Sequence, residues 1–434
     1  MAGPRKEELD DPVDGAGKEV VHRPEEPDQQ GDGDHEREDD KQAREETLFQ
    51  IRAHRGILSQ APPDGNTEAH AAVRPREEIT MNHAVVMAGG SGTRFWPESR
   101  MRRSKQFLDL TGRGPMIVET IRRIAPLFPE RNVWVVAGQK DAPHLSFRRL
   151  GIPRGNVLLE PVGRNTAPAM ALAAAQILRR DPEAVIAATP ADHAVSDLRA
   201  FREIFRKALR IAGSTRRFVT LGIAPKHPAT GYGYIERGKP FRKGGRNVYL
   251  VRRFTEKPDL PTARRFLRAG AFYWNSGVFF CPAAGYVDRM QRFLPKVWRE
   301  LEKAFGEGRG RGLPDRLRKA YARIPSVSVD HGILEKEGEI LVIPSDFGWN
   351  DLGTWRSLHD FLGTAGGNIT FGNVLLSGCR GSLVRTDRGV VAVVGMEDIV
   401  VVRSGEAVLV CRKDRSEEVK GIVEEVRRKY PGLA

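Results

Sequence analysis

Three glycines and an arginine fall together at Gly89-Gly90-Ser91-Gly92-Thr93-Arg94. Such a turn lets backbone N–H groups approach a phosphate chain closely, and Arg94 adds a planar charged donor. The apolar run Ala84-Val85-Val86-Met87-Ala88 leads straight into it, and Phe95-Trp96-Pro97 follows. Spacing excludes two commoner phosphate loops. No Lys-Ser/Thr pair ends the turn, and no further glycine completes a dinucleotide pattern. Alone, the stretch is also what an ordinary strand and turn of an α/β domain would look like.

The 434 residues suggest two or three domains with ample apolar content for a core. No run of about 18 apolar residues exists, which argues against a membrane span. No basic-then-apolar signal pattern opens the chain, so a cytoplasmic protein is expected. Cys281, Cys379 and Cys411 stand far apart without metal-ligand spacing, which argues against a zinc site or a disulfide framework. The net charge of +14 hides an asymmetry. Residues 1–80 hold 11 Lys+Arg against 21 Asp+Glu, and the remainder holds 59 against 35. A basic body suits an enzyme handling several phosphates. No basic–aromatic stripe or nucleic-acid motif accompanies it, so no nucleic-acid partner is expected.

The elements that must position the loop come next. Residues 1–80 are acidic and rich in Gly and Pro, a composition expected of a disordered extension or of a start assigned upstream of Met81. From Met81 the pattern alternates. Pro115 opens a helix with Met116, Ile117, Thr120, Ile121 and Ile124 at helical spacing. Val133–Val136, Val157–Leu159 and Val185–Ala188 read as strands, and Thr166 as the cap of an alanine-rich helix. This order predicts a Rossmann-like, doubly wound, mostly parallel α/β sheet over residues 81–365. Ligands of such sheets bind at the carboxyl ends of strands, where Gly89–Arg94, Glu160 and Asp192 fall. Later strands are read at Phe218–Leu221, Val248–Val251 and Phe272–Phe280, and helices near Thr262–Ala269, Pro295–Phe305 and Asp315–Ile324. Residues 366–434 change to short strands and turns, predicting a small all-β domain or short β-helix closed by a helix at Glu417–Lys429.

Several separate blocks, in order over about residues 83–411, resemble the sugar-1-phosphate nucleotidyltransferases and, within them, the mannose-1-phosphate guanylyltransferases. Ala88–Arg94 with Phe95-Trp96-Pro97 and Ser99-Arg100 is similar to the family's triphosphate loop, and Lys105-Gln106-Phe107 follows at the family's separation. Ser104 stands where the family commonly has proline, which predicts a slightly looser backbone there. The resemblance implies nucleotide contacts from Gly89, Gly90, Ser91, Gly92 and Thr93, with Arg94 and Lys105 catalytic.

Glu160-Pro161-Val162-Gly163-Arg164-Asn165-Thr166-Ala167-Pro168-Ala169 resembles the guanine-recognising segment, implying roles for Glu160, Arg164, Asn165 and Thr166. A carboxylate can accept from guanine's N–H face; the alternative, plain helix capping by Asn165 or Thr166, is disfavoured by the ten-residue resemblance. Asp192 in Pro190-Ala191-Asp192-His193 and Asp351 in Gly348–Trp355 resemble the pair that holds Mg²⁺ or another divalent cation. Two carboxylates suffice for such an ion when substrate phosphates complete its shell. His193 is read as a structural neighbour. Thr230–Glu236, Phe254–Pro258 and Trp274–Phe279 look like the sugar-phosphate side, implying contacts from Gly231, Tyr232, Gly233, Glu256, Lys257 and Asn275. Trp274 and Phe279 are read as core. Leu334-Glu335-Lys336, after Asp330, resembles a further block that closes the sugar pocket.

The resemblance therefore implies transfer of GMP from GTP to mannose 1-phosphate. Alternatives are a relative using another base or sugar, or a non-catalytic nucleotide-sugar binder. The C-terminal β region is too short, and too poor in histidine, for a metal-binding isomerase domain. Oligomeric state is open on sequence grounds, and the C-terminal β segment could serve a homodimer.

Overall fold

The computed structural model describes residues 82–433 apart from 91, 102, 146–149, 307–311 and 364–365. The expectations for residues 1–80 and for Ser91 lie outside the described residues.

Strands β1 (Asn82–Ala88), β2 (Val133–Gly138), β3 (Val157–Glu160) and β4 (Val185–Pro190) run parallel in the order β3-β2-β1-β4. Their unbroken apolar runs reflect burial on both faces. Alternation along each strand sorts the side chains between two helical layers. Val86 and Val135 face helix α1 (Met116–Ile124), whereas Val85 and Val136 face α2 (Thr166–Leu178). The short β5 (Ala194–Val195) precedes α3 (Leu198–Thr215), which adds Phe201 and Phe205 to the α1 side.

Beyond β4 the sheet becomes mixed. It is extended by β6 (Val219–Ile223), β7 (Tyr234–Pro240), β8 (Tyr249–Thr255), β9 (Phe272–Pro282) and β10 (Leu341–Ser345), giving nine strands ordered β3-β2-β1-β4-β9-β6-β10-β8-β7. Only β6 and β10 pair in parallel in this half, and β9 runs antiparallel to both β4 and β6. β7 and β8 are joined by a tight turn at Arg242–Gly244, a connection that permits only antiparallel pairing. Helix α4 (Leu260–Ala269) packs Phe266 on the α1 side. Helices α5 (Ala283–Phe293), α6 (Pro295–Gly306) and α7 (Leu313–Arg323) thicken the α2 side through Tyr286, Leu301 and Tyr321. Trp274 and Phe279 are core residues. A two-residue strand, β11 (Trp349–Asn350), pairs with β5 and leads to α8 (Trp355–Leu362).

The C-terminal part winds β12 (Ile369–Ser377), β13 (Leu383–Val394) and β14 (Ile399–Ser404) as successive parallel neighbours, with β15 (Ala407–Arg412) antiparallel at the end. Short turns can connect parallel neighbours only in a coil, and Gly378, Gly381 and Gly395, all at positive φ, turn its corners. This is a short β-helix. Helix α9 (Val419–Lys429) then returns to the front of the molecule. Phe95 and Trp96 share one core with Trp355, Leu383, Val400 and Val423, so the β-helix, α9 and the segment after the glycine turn pack as one. Among the described residues no helix is long and apolar enough to cross a membrane.

Candidate active site

Gly92 sits at φ 59° directly over Lys105. Lys105 belongs to a one-turn helix at Lys105–Phe107, and its side chain is buried. Its ammonium donates to Asp192 Oδ2 at 2.9 Å and to the backbone carbonyl of Asp351 at 2.6 Å. Asp192 follows β4, where Ala191 N–H is tied to Met87 O at 3.0 Å. Asp351 follows β11 and is held from two sides. The Tyr232 hydroxyl donates to Asp351 Oδ1 at 2.8 Å, and Gly353 N–H donates to the same oxygen at 3.1 Å. Burial alone would raise the Asp192 carboxyl, but Lys105 and its neighbours hold it below the usual carboxylate value.

The His193 ring packs edge-on against Trp349. Its Nδ1 accepts from Trp349 Nε1 at 3.2 Å, and burial holds the imidazole below its ordinary pKa. Ser104, in place of proline, is buried and donates to Asp141 Oδ1 at 2.9 Å, so a side-chain bond anchors the backbone there.

The rest of the glycine turn is open. A Cβ added at Gly89 or Gly90 would meet nothing within 4 Å. Arg94 is exposed and makes no hydrogen bond or ion pair within the described residues, while Thr93 is half-buried beside it. Unobstructed backbone at Gly89 and Gly90 near a guanidinium without a partner among the described residues suits an anion.

Glu160 ends β3 and is 7% exposed. Its Oε1 has no partner among the described residues. Burial pushes its pKa up to about 7, partly offset by a hydrogen bond with Tyr321. Asn165, at φ 69°, caps α2 by accepting from Thr166 N–H at 2.8 Å, so the cap is Asn165 rather than Thr166. Thr166 Oγ1 instead accepts from Val329 N–H at 2.9 Å. The Arg164 guanidinium turns to the end of α7, donating to Tyr321 O at 2.8 Å. This segment is thus stitched to residues 321–329, with Glu160 keeping a free oxygen.

The sugar-phosphate blocks meet around Gly233. A Cβ there would lie 2.4 Å from Glu256 Oε2 and 3.4 Å from Asn275 Cβ, so a larger residue would push the Glu256 carboxylate from its present place. Glu256 is ion-paired with Lys257, whose own side chain is largely exposed. Gly231 is open, with nothing within 4 Å of an added Cβ. Asn275 donates to Asp330 Oδ1 at 2.9 Å. Burial, then the Glu256 charge, raises the Asp330 carboxyl to about 6. Glu335 pairs with His331 at 3.0 Å rather than with a site residue.

One chain of contacts links these pieces. Thr166 holds Val329, beside Asp330; Asp330 holds Asn275, which meets Gly233 and Glu256; Tyr232 holds Asp351, and Lys105 joins Asp351 to Asp192 beneath Gly92. Sequence spacing did not single out Asp330 in this chain for chemistry, nor Tyr321, which hydrogen-bonds Glu160 outside it. Asp192 and Asp351 are the carboxylates available to a divalent cation. Among the described residues no cluster of three or more His, Cys, Asp or Glu could form a metal cage. Two hard oxygen donors fit a Mg²⁺-type ion that keeps water and phosphate in its shell.

The arrangement is that of a phosphate-handling α/β enzyme, and comparison with known proteins agrees. Residues 83–364 match the nucleotidyl transferase family, and residues 372–426 match the MannoseP isomerase/GMP-like beta-helix domain. The chain belongs to the nucleotidyl transferase family. Its relatives place it among the mannose-1-phosphate guanylyltransferases, as a sugar-1-phosphate nucleotidyltransferase. It is 37% identical over 363 residues to mannose-1-phosphate guanylyltransferase of Escherichia coli (strain K12), covering 80% of this chain and 73% of that one. Xanthan biosynthesis protein XanB of Xanthomonas campestris pv. campestris (strain B100) is 39% identical over 347 residues, covering 79% and 73%. A crystal structure of a mannose-1-phosphate geranyltransferase from Thermus thermophilus superposes with TM-score 0.73 at 34% identity, covering 80% of this chain and all of that one.

Proposed function

We propose that the chain transfers GMP from GTP to alpha-D-mannose 1-phosphate, giving GDP-mannose and pyrophosphate, in the cytoplasm. The observation that carries this reading is the buried Lys105 ammonium joining Asp192 to the Asp351 backbone beside an open glycine turn. A phosphate oxygen of the sugar phosphate attacks the α-phosphorus in line. The new P–O bond forms as the bond from the α-phosphorus to the bridging oxygen breaks, and that electron pair leaves with pyrophosphate. The attacking oxygen is already ionised, so no general base is needed.

Catalysis is then positioning and charge neutralisation. The glycine turn and Arg94 take the triphosphate, and Lys105 fixes the two aspartates. Asp192 and Asp351 would hold a divalent cation, which neutralises phosphate charge when bound. Glu160 offers its free oxygen to the N–H face of guanine. Glu256, Asn275 and Lys257 receive the sugar phosphate, with Asp330 orienting Asn275.

Pyrophosphate release, measured across a panel of GTP, ATP, UTP and dTTP with several sugar 1-phosphates, tests the assignment. GTP with mannose 1-phosphate should be the preferred pair. Preference for UTP or dTTP overturns the guanylyl reading, and binding without turnover overturns the enzymatic one.

A further inference from the structure

Tyr232 lies on the loop between β6 and β7, within the run Gly231-Tyr232-Gly233. Its half-buried ring is wedged edge-on between two indoles, with centroids 5.0 Å from Trp274 and 5.4 Å from Trp349. The ring is thus held from both sides while its hydroxyl donates to the Asp351 carboxylate.

The spacing of Asp192 and Asp351 is set by several ties. Strands β5 and β11 pair Ala194 with Asn350 and Val195 with Trp349, so the two aspartates flank one short ladder. Trp349 Nε1 closes the back of that ladder by donating to His193, the neighbour of Asp192. Lys105 spans the pair in front, but it reaches Asp351 only through the backbone carbonyl. Among the described residues, the Asp351 carboxylate has one side-chain donor, the Tyr232 hydroxyl, and one backbone donor, Gly353 N–H. Both converge on Oδ1, so Oδ2 carries no hydrogen bond among the described residues. Outer partners of this kind orient a ligating carboxylate, and losing one typically costs roughly 10–100-fold in metal affinity.

The same residue stands one peptide from the sugar side. Gly233 O accepts from Asn275 N–H at 2.8 Å, and Gly233 lies against the Glu256 carboxylate. Trp274, which packs on the Tyr232 ring, directly precedes Asn275. A ligand seated on Glu256 and Asn275 therefore fixes the backbone that carries the Tyr232 hydroxyl. On the other flank, an added Cβ at Gly231 would meet nothing within 4 Å, so no packing duplicates that restraint there.

We propose that Tyr232 is a positioning residue that couples the two halves of the site. Sugar phosphate on Glu256 and Asn275 tightens the hold of Asp351 on a divalent cation, and the cation in turn tightens sugar-phosphate binding. This rests on the sugar-phosphate and cation roles given under the proposed function, and it assigns the hydroxyl to Asp351 instead of to the sugar. Coupling of this kind is reciprocal.

Mn²⁺ is a hard cation suited to carboxylates, and its free form is counted by electron paramagnetic resonance. Titration of the full chain with Mn²⁺ alone involves no nucleotide and no turnover. Mannose 1-phosphate should tighten Mn²⁺ binding to the parent at least about fivefold. Tyr232→Phe keeps the ring between the two indoles and removes only the hydroxyl. It should bind Mn²⁺ about tenfold more weakly, and mannose 1-phosphate should no longer tighten it. Near-ultraviolet circular dichroism like that of the parent shows that the variant is folded. Calorimetry without metal should give both proteins the same affinity for mannose 1-phosphate; a loss in the variant places the hydroxyl on the sugar and overturns the proposal. Parental Mn²⁺ affinity in Tyr232→Phe overturns it too, as does coupling that survives in the variant, carried by phosphate meeting the ion directly. Pyrophosphate release from GTP and mannose 1-phosphate is measured alongside. Turnover by a parent that shows no coupling overturns the coupling and leaves the substrate reading standing.

Discussion

A Cβ at Gly92 would stand 2.3 Å from the Cβ of Lys105 and 3.1 Å from its backbone nitrogen. The glycine is therefore a spacer for a lysine as well as part of a phosphate turn. Gly92→Ala should displace Lys105 by about an ångström, and a misplacement of that order costs roughly 10²-fold in turnover. The strained φ adds a stability loss of about 1–2 kcal/mol. Steady-state kinetics and a urea melt read the two effects separately.

Arg94 and Lys105 should respond differently to removal. Lys105→Ala leaves Asp192 and the Asp351 carbonyl without their shared donor, so both turnover and stability should fall. Arg94 has no protein partner in the described structure. Arg94→Ala should therefore keep the parental melting temperature while turnover drops roughly 10²–10³-fold. Near-normal turnover of Arg94→Ala would remove it from the mechanism.

Glu160 predicts a pH dependence of defined sign. Burial raises its carboxyl from 4.5 to about 7 in the folded protein. The folded state thus favours the protonated form, and that contribution to stability is lost as pH rises from about 4.5 through 7. Guanine N–H donors need the ionised form, so GTP affinity should increase over the upper part of the same range. Glu160→Gln should flatten both trends, read by chemical denaturation and by nucleotide titration between pH 5 and 8.

Arg385 of the β-helix is ion-paired with Glu98 and donates to Asp109 O at 2.6 Å, with both charged side chains largely buried. Breaking a buried pair from one side leaves an unmatched charge, worth about 3–5 kcal/mol. Arg385→Ala should lose that much stability and raise the KM for nucleotide, because Glu98 lies just beyond the glycine turn. A KM unchanged alongside the stability loss would show that the β-helix supports the fold without setting the turn.

The parts legible in the sequence are those in which function and local spacing coincide. Gly89–Arg94, Lys105 and the two aspartates sit at strand ends or tight turns, so short motifs carry them. Tyr232 was readable as a residue of the sugar side, but its hydroxyl reaches Asp351, a relation set by packing 119 residues apart. Asp330 and Asn275 meet only because β9 passes the turn after α7, which spacing does not encode. Helix α3 went unread in the sequence although Phe201, Phe205, Leu209 and Ala212 recur at helical spacing, and the antiparallel insertion of β9 left no mark in its composition.

The Trp96 indole donates to the carbonyl of Leu433 at 2.7 Å, a partner 337 residues further along. At a synthesis rate of about 5–20 residues per second, that partner is made roughly 20–70 s after Trp96. A nascent chain carrying every phosphate-binding residue of the opening turn still lacks this anchor. The final packing of the segment after the glycine turn therefore waits for a stretch of chain made long after it.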